Sequence, residues 1–319
     1  DVSKTTFSGN SNCGLYVANS DATILKQPIS VRDSTFASNG SGAVISPLAD
    51  AAVSVTRCSM QSGSSHGLVL YRAPASLTNS TISSNQGYGV LTYDVALTAT
   101  DNTIDSIGGY GIYAALWQTP NAASVIARRN LMRKNAYGIG TSQVVAVEVS
   151  NNVVTGGTYG LVVNSTKGVM ELWNNTLVDN YIGLYQTGGT ARAKNNIVAY
   201  GDLNAGKQNS YGIYRVGGTL DASNNLLFGQ SNKYYGTTRG AGDVIKPPRF
   251  VDRANGNYQL AMGSPAINAG ADSGGLITTD MVLNARPAFR ALEIGAYEYT
   301  GKSGSVRVLD WKEAAKTKK

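Results

Sequence analysis

Apolar and polar residues alternate along short segments of this chain. Residues 53–56 (VSVT), 97–100 (LTAT) and 147–150 (VEVS) each place apolar side chains on one side and polar side chains on the other. A period of two is that of a β-strand, whereas an amphipathic helix would repeat at about 3.6 residues. The pattern therefore predicts an all-β protein.

The alternating segments belong to a unit that recurs ten times. Each copy carries a pair of small polar residues followed by an apolar step, and the clearest copies are NSTISSNQGYGV from Asn79 and NNVVTGGTYGL from Asn151. A period of about 22 residues without helical segments predicts a parallel β-helix of ten or more coils, stacked about 4.8 Å apart. The second polar residues of successive copies are Thr5, Ser34, Cys58, Ser80, Asn102, Asn130, Asn152, Asn175, Asn196 and Asn225.

Two columns of identical residues are expected to hold the coils together. An asparagine directly above an asparagine can satisfy the buried amide groups of a turn through bonds along the axis, which predicts a ladder from Asn102 to Asn225. Glycine recurs at a second corner, where the backbone is left-handed or closely approached. These glycines are Gly14, Gly42, Gly67, Gly89, Gly111, Gly138, Gly160, Gly183 and Gly212.

Composition limits the partners. The 319 residues are 42% hydrophobic and 15% charged. The chain contains no run of 18 apolar residues, so the sequence predicts no membrane-spanning helix. The net charge is +7. The segment from Lys302 contains six basic and two acidic residues and so contributes +4, which leaves a charge of +3 for the rest of the chain. This distribution predicts a basic tail over residues 301–319 and is compatible with an acidic sugar polymer, whereas nucleic-acid binding would require a denser basic stripe.

The closing part of the chain carries a more specific motif. FVDRANGNYQLAMGSPAINAGADSG from Phe250 and TDMVLNARPAFRALEIGAYEYT from Thr279 resemble the end of many secreted bacterial proteins of the pectate-lyase-like superfamily. The motif residues are Gly263, Ser264, Pro265, Ala266, Ile267, Arg286, Pro287, Ile294, Gly295, Ala296, Tyr297 and Glu298. The resemblance implies a right-handed parallel β-helix over residues 1–300, with a C-terminal cap from about residue 246.

That superfamily acts mostly on polysaccharides, so the resemblance implies a secreted bacterial enzyme, extracellular or on the cell surface. The first residues already form a coil, and we expect that an N-terminal portion with a secretion signal has been removed. We expect a monomer that cleaves an acidic, uronate-containing polysaccharide by β-elimination. The alternatives are a glycoside hydrolase on the same fold and a non-catalytic adhesin or matrix protein that binds carbohydrate.

Coil lengths indicate one candidate site. The stretches from Gly14 to Ser34 and from Gly111 to Asn130 are longer than their counterparts and could wall a cleft. On its floor Tyr71 and Tyr93 would stack, and Trp117 would stand at the far wall. We predict Arg72 to neutralise the uronate carboxylate, His66 or Tyr71 to exchange the proton, and Asp94 to orient Arg72.

The same residues also have purely structural interpretations. His66 occupies the column filled elsewhere by tyrosines, which favours a packing role. Arg72 and Asp94 on adjacent coils could form a surface ion pair. The two tyrosines could be either packing or a platform for sugar rings.

A second candidate site follows the outward positions of the strand before the polar pair. Here Trp173 would be a sugar platform, and Arg128, Arg192 and Lys194 would bind acidic groups. The alternative is a face of salt bridges between coils. We predict no metal requirement; calcium at Glu148, Glu171 or Asp221 is the alternative, although the chain has no compact Asp-rich motif.

Overall fold

Three parallel sheets of ten strands each form the body of the molecule. The computed structural model describes residues 1–18, 27–47, 51–118, 123–201 and 210–301. Each coil contributes one strand to each sheet, and each strand pairs with its equivalent in the next coil. The structure thus has ten complete coils, as the repeat predicts, and the tail beyond residue 301 lies outside the described residues.

The first sheet contains the alternating segments. Its strands are β1 (Val2–Ser3), β4 (Ile29–Arg32), β7 (Val53–Thr56), β10 (Ala75–Thr78), β13 (Ala96–Thr100), β16 (Ser124–Arg128), β19 (Ala146–Ser150), β22 (Val169–Trp173), β25 (Thr190–Lys194) and β28 (Thr219–Ser223). Val53, Leu97 and Val147 point into the core, and their polar neighbours face outward.

The second sheet follows the polar pairs. Its short strands are β2 (Thr6–Ser8), β5 (Thr35–Ala37), β8 (Ser59–Gln61), β11 (Thr81–Ser83), β14 (Thr103–Asp105), β17 (Leu131–Arg133), β20 (Val153–Thr155), β23 (Thr176–Val178), β26 (Ile197–Ala199) and β29 (Leu226–Phe228). The middle residue of each strand faces the interior, as Ile82, Ile104 and Met132 do.

The third sheet follows the aromatic-Gly-aliphatic triplets. Its strands are β3 (Cys13–Ala18), β6 (Ser41–Ser46), β9 (Leu68–Tyr71), β12 (Val90–Tyr93), β15 (Tyr110–Ala115), β18 (Tyr137–Val144), β21 (Tyr159–Thr166), β24 (Ile182–Gln186), β27 (Tyr211–Arg215) and β30 (Asn232–Tyr235). One continuous apolar core lies between the three sheets.

The predicted asparagine ladder is present between the first and second sheets. The Asn130 amide donates to Oδ1 of Asn152 at 2.9 Å, and the Asn152 amide donates to Oδ1 of Asn175 at 3.0 Å. The same contact recurs from Asn102 to Asn225, where Asp243 accepts the last backbone N–H at 2.7 Å. Each ladder residue also accepts the backbone N–H of the preceding one. Equivalent positions in the sequence therefore form physical columns.

A second asparagine column lies at the corner between the second and third sheets. Asn85, Asn135 and Asn180 each accept a backbone N–H from the preceding coil, at 2.9–3.0 Å. They occur on alternate coils, and each side-chain amide also donates to a backbone carbonyl of the preceding coil, at 2.9–3.1 Å. The sequence signal is an asparagine shortly before every second aromatic-Gly triplet.

The glycines of the triplets are required for close approach. A Cβ on Gly138 would lie 2.2 Å from the carbonyl oxygen of Gly160 in the next coil. The left-handed conformation is instead adopted by the first residue of each polar pair, for example Asn151 and Asn174, both with φ of 54°. Of the two reasons expected for the glycines, close packing is the one that applies.

The C-terminal segment folds back along the molecule. It contains β31 (Phe250–Asp252), a 3-10 helix (Arg253–Asn255) and β32 (Asn257–Leu260), which pairs with β31. Its apolar residues pack on Val153, Val178 and Ile197, so it covers the outer face of the later coils of the second sheet. The sequence predicted that this segment caps the end of the solenoid. In the structure, much of the segment instead covers the side of the solenoid.

The first asparagines of the polar pairs hold this segment in place. Asn151 donates to the carbonyl of Thr279 and Asn174 to that of Glu293, each at 2.8 Å, while Asn195 donates to that of Ala271 at 2.9 Å. Within the segment, Arg286 and Glu298 of the closing motif form a fully buried ion pair.

Candidate functional site

Four side chains meet at the outer, carboxyl-terminal ends of neighbouring strands in the third sheet; we call Tyr71, Arg72, Tyr93 and Trp117 the Arg72 cluster. Tyr71 and Tyr93 are register partners, and their rings stack with centroids 5.4 Å apart. Trp117 lies 6.0 Å from the first ring and 5.8 Å from the second. The Arg72 guanidinium carbon lies 5.8 Å from the Trp117 ring centroid. The structure thus brings these four predicted residues together.

Asp94 supports the cluster from beneath. It is 3% exposed, and its two oxygens accept the backbone N–H groups of Trp117 and Gln118 at 2.7 and 2.9 Å. The Gln118 side-chain oxygen accepts a hydrogen bond from Arg72 at 3.1 Å. We expected Asp94 to orient Arg72 directly or to form a surface ion pair with it. Instead, Asp94 acts on Arg72 through Gln118, because burial turns its carboxylate towards the backbone.

Among the described residues, no carboxylate pairs with the positive charge of Arg72. Within the described part of the chain Arg72 has no acidic partner within salt-bridge distance, whereas Arg57, Arg129 and Arg253 each pair with an aspartate. Trp117 is 56% exposed and Arg72 is also exposed. A flat apolar surface beside an uncompensated guanidinium can bind a ring that carries an anionic group.

Tyr71 is protonated at neutral pH. Burial raises the pKa of Tyr71 above its ordinary value, and the neighbouring phenols of Tyr93 and Tyr16 raise it further. Its hydroxyl is therefore suited to donating a hydrogen bond or a proton and is poorly suited to removing one.

His66 is not part of the cluster. It precedes β9, whereas Arg72 follows it, and an extended strand separates the two ends at about 3.3 Å per residue. The His66 ring stacks on Tyr88 at 5.2 Å, and its Nδ1 accepts the Tyr88 backbone N–H at 2.9 Å. Burial lowers the pKa of His66. The predicted proton exchange between His66 and a sugar bound at Arg72 therefore has no geometric basis.

His66 instead begins an unbroken row of aromatic rings on the outer face of the third sheet, which we call the tyrosine belt. Successive ring centroids are 4.3–5.8 Å apart. The sequence predicted a column that continues from Tyr159 to Tyr211, whereas the belt moves after Tyr159 to Tyr185, the register partner of Val162. The belt consists of His66, Tyr88, Tyr110, Tyr137, Tyr159, Tyr185, Tyr214 and Tyr235.

The second candidate site forms a network of ion pairs on the outer face of the first sheet, which we call the ion-pair face. Arg128 pairs with Glu148 through both guanidinium branches, Arg192 with Glu171 at 2.7 Å, and Lys194 with Asp221 at 3.2 Å. These are contacts between adjacent coils, as the structural alternative predicted. Their basic groups are already neutralised.

Trp173 is enclosed within the ion-pair face. It is 7% exposed, its ring N–H donates to Glu171 at 2.9 Å, and the Lys194 ammonium lies 5.7 Å from its ring centroid. Its ring is therefore not open as a sugar platform. The carboxylates proposed as an alternative calcium site are used in the ion pairs, and the described residues contain no group of three His, Cys, Asp or Glu side chains placed to hold a metal.

The two insertions expected to wall a cleft leave from the same side of the molecule. One follows β3 and the other follows β15, both in the third sheet. Residues 19–26 and 119–122 of these insertions lie outside the described residues. In the ranges that are described, no helix is long and apolar enough to cross a membrane.

Comparisons with known proteins agree with the coil architecture. The family model described as "right handed beta helix region" matches residues 1–123 and, in an overlapping match, 49–199. No curated protein sequence matches the chain.

Two solved structures share this architecture at low sequence identity. The structure of XylC in complex with xylose has a TM-score of 0.57 and 11% identity, covering 84% of this chain and 59% of its own. This chain therefore spans less than two thirds of the XylC chain. Pectate lyase Pel9A has a TM-score of 0.45 and 12% identity, covering 93% of this chain and 86% of its own. Since the family match extends over residues 1–199, the chain belongs to the right-handed β-helix family.

Proposed function

We propose that this protein binds an acidic polysaccharide along the outer face of the third sheet. The observation that carries the proposal is the Arg72 cluster, where an uncompensated guanidinium lies over an exposed tryptophan beside two stacked tyrosines. The apolar face of a sugar ring packs on aromatic rings, and the guanidinium binds a carboxylate in the bidentate manner that arginine favours.

The tyrosine belt extends the proposed surface along the axis. Its rings recur at every coil from the third to the tenth, and coils are about 4.8 Å apart. An extended polysaccharide advances by a similar distance for each sugar. Successive sugars can therefore contact successive rings, and the Arg72 cluster, at the other ends of β9 and β12, forms a separate contact with an anionic group of the polymer. The xylose held by XylC provides an analogy on a similar fold.

The Arg72 cluster supports binding better than hydrolysis. Glycoside hydrolysis commonly uses two carboxylic groups beside the scissile bond. Asp94, the carboxylate that the described residues place against the cluster, is buried and accepts two backbone N–H groups. We further propose that the protein is extracellular, because its proposed ligand is an extracellular polymer.

Cleavage by β-elimination is the second candidate function, and the adjacency of Tyr71 and Arg72 favours it. Arg72 would neutralise the uronate carboxylate and so acidify the C5 proton, Tyr71 as the phenolate would take that proton, and the phenol so formed would return it to the departing oxygen. The raised pKa of Tyr71 suits a proton donor but opposes its use as the base that takes the C5 proton. Binding without cleavage therefore remains the leading proposal.

Affinity electrophoresis in gels containing polygalacturonate, alginate or neutral xylan tests the proposal. We expect retardation by the acidic polymers and an affinity about tenfold lower for Arg72→Gln, equivalent to about 1.4 kcal/mol. Arg192→Gln is the matched control, because Arg192 already pairs with Glu171. Equal retardation by the neutral polymer, or equal loss in both variants, would contradict the proposal.

An ultraviolet assay distinguishes the second candidate. Elimination creates an unsaturated uronate that absorbs, whereas binding alone does not. If absorbance rises in the wild type and not in Tyr71→Phe, the protein is a lyase.

A further inference from the structure

A cavity of about 420 Å³ lies on another side of the molecule from the Arg72 cluster. One wall is formed by coils of the solenoid, with Leu131 and Arg133 on the outer face of β17 in the second sheet. The opposite wall is formed by the C-terminal segment around Tyr258, Met281 and Tyr297. The cavity arises at a step, because the described part of the segment packs mainly on β20 and later strands.

The inner lining of this cavity is apolar and rigid. Tyr258 and Met281 are 6% and 7% exposed and belong to one packed cluster, against which Leu131 and Tyr297 also lie. The Tyr258 hydroxyl is bonded to Thr155 at 3.2 Å, which fixes the ring. The apolar inner lining faces a polar rim, and a preformed cavity of this volume with convergent polar groups is typical of a small-molecule site.

The polar groups of the cavity offer hydrogen-bond donors. Arg133 donates through Nη2 to Asp105 at 3.1 Å, but its Nε is buried and has no hydrogen-bond partner. Asp101, the acidic residue on the same rim, has both oxygens bonded to Arg129 at 2.8 Å. The charges of Asp101 and Arg133 are thus both paired, and the Arg133 Nε is a donor that is left without a partner.

Amide side chains complete the rim. Asn79 and Gln259 line the cavity, and the structure gives neither side-chain amide a hydrogen-bond partner among the described residues. Amides that can both donate and accept suit hydroxyl groups, whereas an arginine suits a carboxylate. Together with the apolar lining, these groups favour a ring that carries hydroxyls and one carboxylate.

We propose that this cavity is a second carbohydrate site, which binds a single uronic acid or the uronate end of a short oligosaccharide. The sugar ring lies against Leu131 and the exposed Leu283, its carboxylate faces Arg133, and its hydroxyls contact the rim amides. The site is separate from the third sheet and does not depend on polysaccharide binding there.

Saturation-transfer NMR and calorimetry with galacturonate, galactose and cyclohexanecarboxylate test this inference. We expect galacturonate to bind more tightly than either of the others, because only galacturonate has both hydroxyls and a carboxylate. Arg133→Gln should weaken galacturonate binding at least about fivefold, and Arg72→Gln should leave this binding unchanged. Thermal unfolding checks that each variant is folded.

Gln259→Ala keeps the test decisive if Arg133→Gln proves unstable, since it removes a half-buried amide and no hydrogen bond within the protein. It should weaken galacturonate binding about twofold to fivefold. The inference is overturned if galacturonate does not bind, if neither variant weakens binding, or if cyclohexanecarboxylate or galactose binds as tightly. Loss of galacturonate binding in Arg72→Gln alone would assign it to the third sheet and also overturn the inference.

Discussion

The first and third sheets each place a tryptophan beside a cation, with opposite consequences. On the third sheet Trp117 is 56% exposed, and Arg72 has no acidic partner among the residues described. On the first sheet Trp173 is 7% exposed, and Lys194 beside it pairs with Asp221. An aromatic residue with a nearby cation thus indicates a binding site only where the surrounding charges leave both groups open.

The largest expected difference between the two regions is in stability. Trp173→Ala should lower the free energy of unfolding by about 3–5 kcal/mol, because it leaves a cavity and removes the hydrogen bond to Glu171. Trp117→Ala should cost below about 1 kcal/mol, because the ring is mostly exposed. Denaturant titration measures both, and similar costs would remove the distinction between the two tryptophans.

Asp94 tests how the Arg72 cluster is held. Asp94→Asn should lower the free energy of unfolding by about 1–3 kcal/mol, since an amide can accept from only one side and would meet a backbone donor with its own N–H groups. Polysaccharide affinity should fall with it, because the backbone at Trp117 and Gln118 loses its anchor.

Gln118→Ala is the control for this variant. It removes only the contact with Arg72 and should reduce affinity by about twofold to threefold without changing stability. Wild-type affinity in Asp94→Asn would show that the buried carboxylate does not position the cluster.

Acidification should destabilise the third sheet through His66. Burial lowers the pKa of His66 below its ordinary 6.5, so the unfolded chain binds the proton more readily than the fold does. Stability is therefore present above that value and is lost as pH falls below it, when Nδ1 can no longer accept the Tyr88 N–H. His66→Asn keeps an acceptor that does not titrate, so the stability of the wild type relative to the variant should fall as pH decreases.

Glu293 in the C-terminal segment gives the opposite dependence. Its side-chain oxygens are buried without hydrogen-bond partners, and burial, with nearby Glu298, raises the pKa of Glu293 from 4.5 to about 9. Its contribution to stability is complete below pH 4.5 and is lost as pH rises through 9.

Comparing His66→Asn with wild type at each pH cancels this contribution of Glu293. An unchanged difference from pH 5 to 8 would contradict the role of His66.

The smallest expected effect is on the ion-pair face. Arg192→Gln should change the free energy of unfolding by 0 to about 1 kcal/mol, because the Arg192 side chain is 50% exposed and its pair with Glu171 is screened. Added salt should weaken polysaccharide binding at Arg72 while leaving this variant's stability nearly unchanged. A loss of polysaccharide affinity in Arg192→Gln would instead make the first sheet part of the binding surface.

The coils, their register and the ladder could be predicted from the sequence because each depends on contacts repeated about every 22 residues. Asn130, Asn152 and Asn175 stack as their spacing predicts, and Tyr71 stacks on Tyr93 for the same reason. Within a column, the position of a residue follows from its neighbours one coil away. Local periodicity is therefore sufficient to place it.

Contacts between distant parts of the chain were decided only by the tertiary structure. Asn151 and Asn174 bond to backbone groups 128 and 119 residues away, and this return of the C-terminal segment creates the cavity beside Arg133. The openness of Trp117 and the enclosure of Trp173 likewise depend on which charges neighbouring coils supply. Periodicity assigns a residue to a column and a face, but its exposure and charge balance depend on whatever else folds against that face.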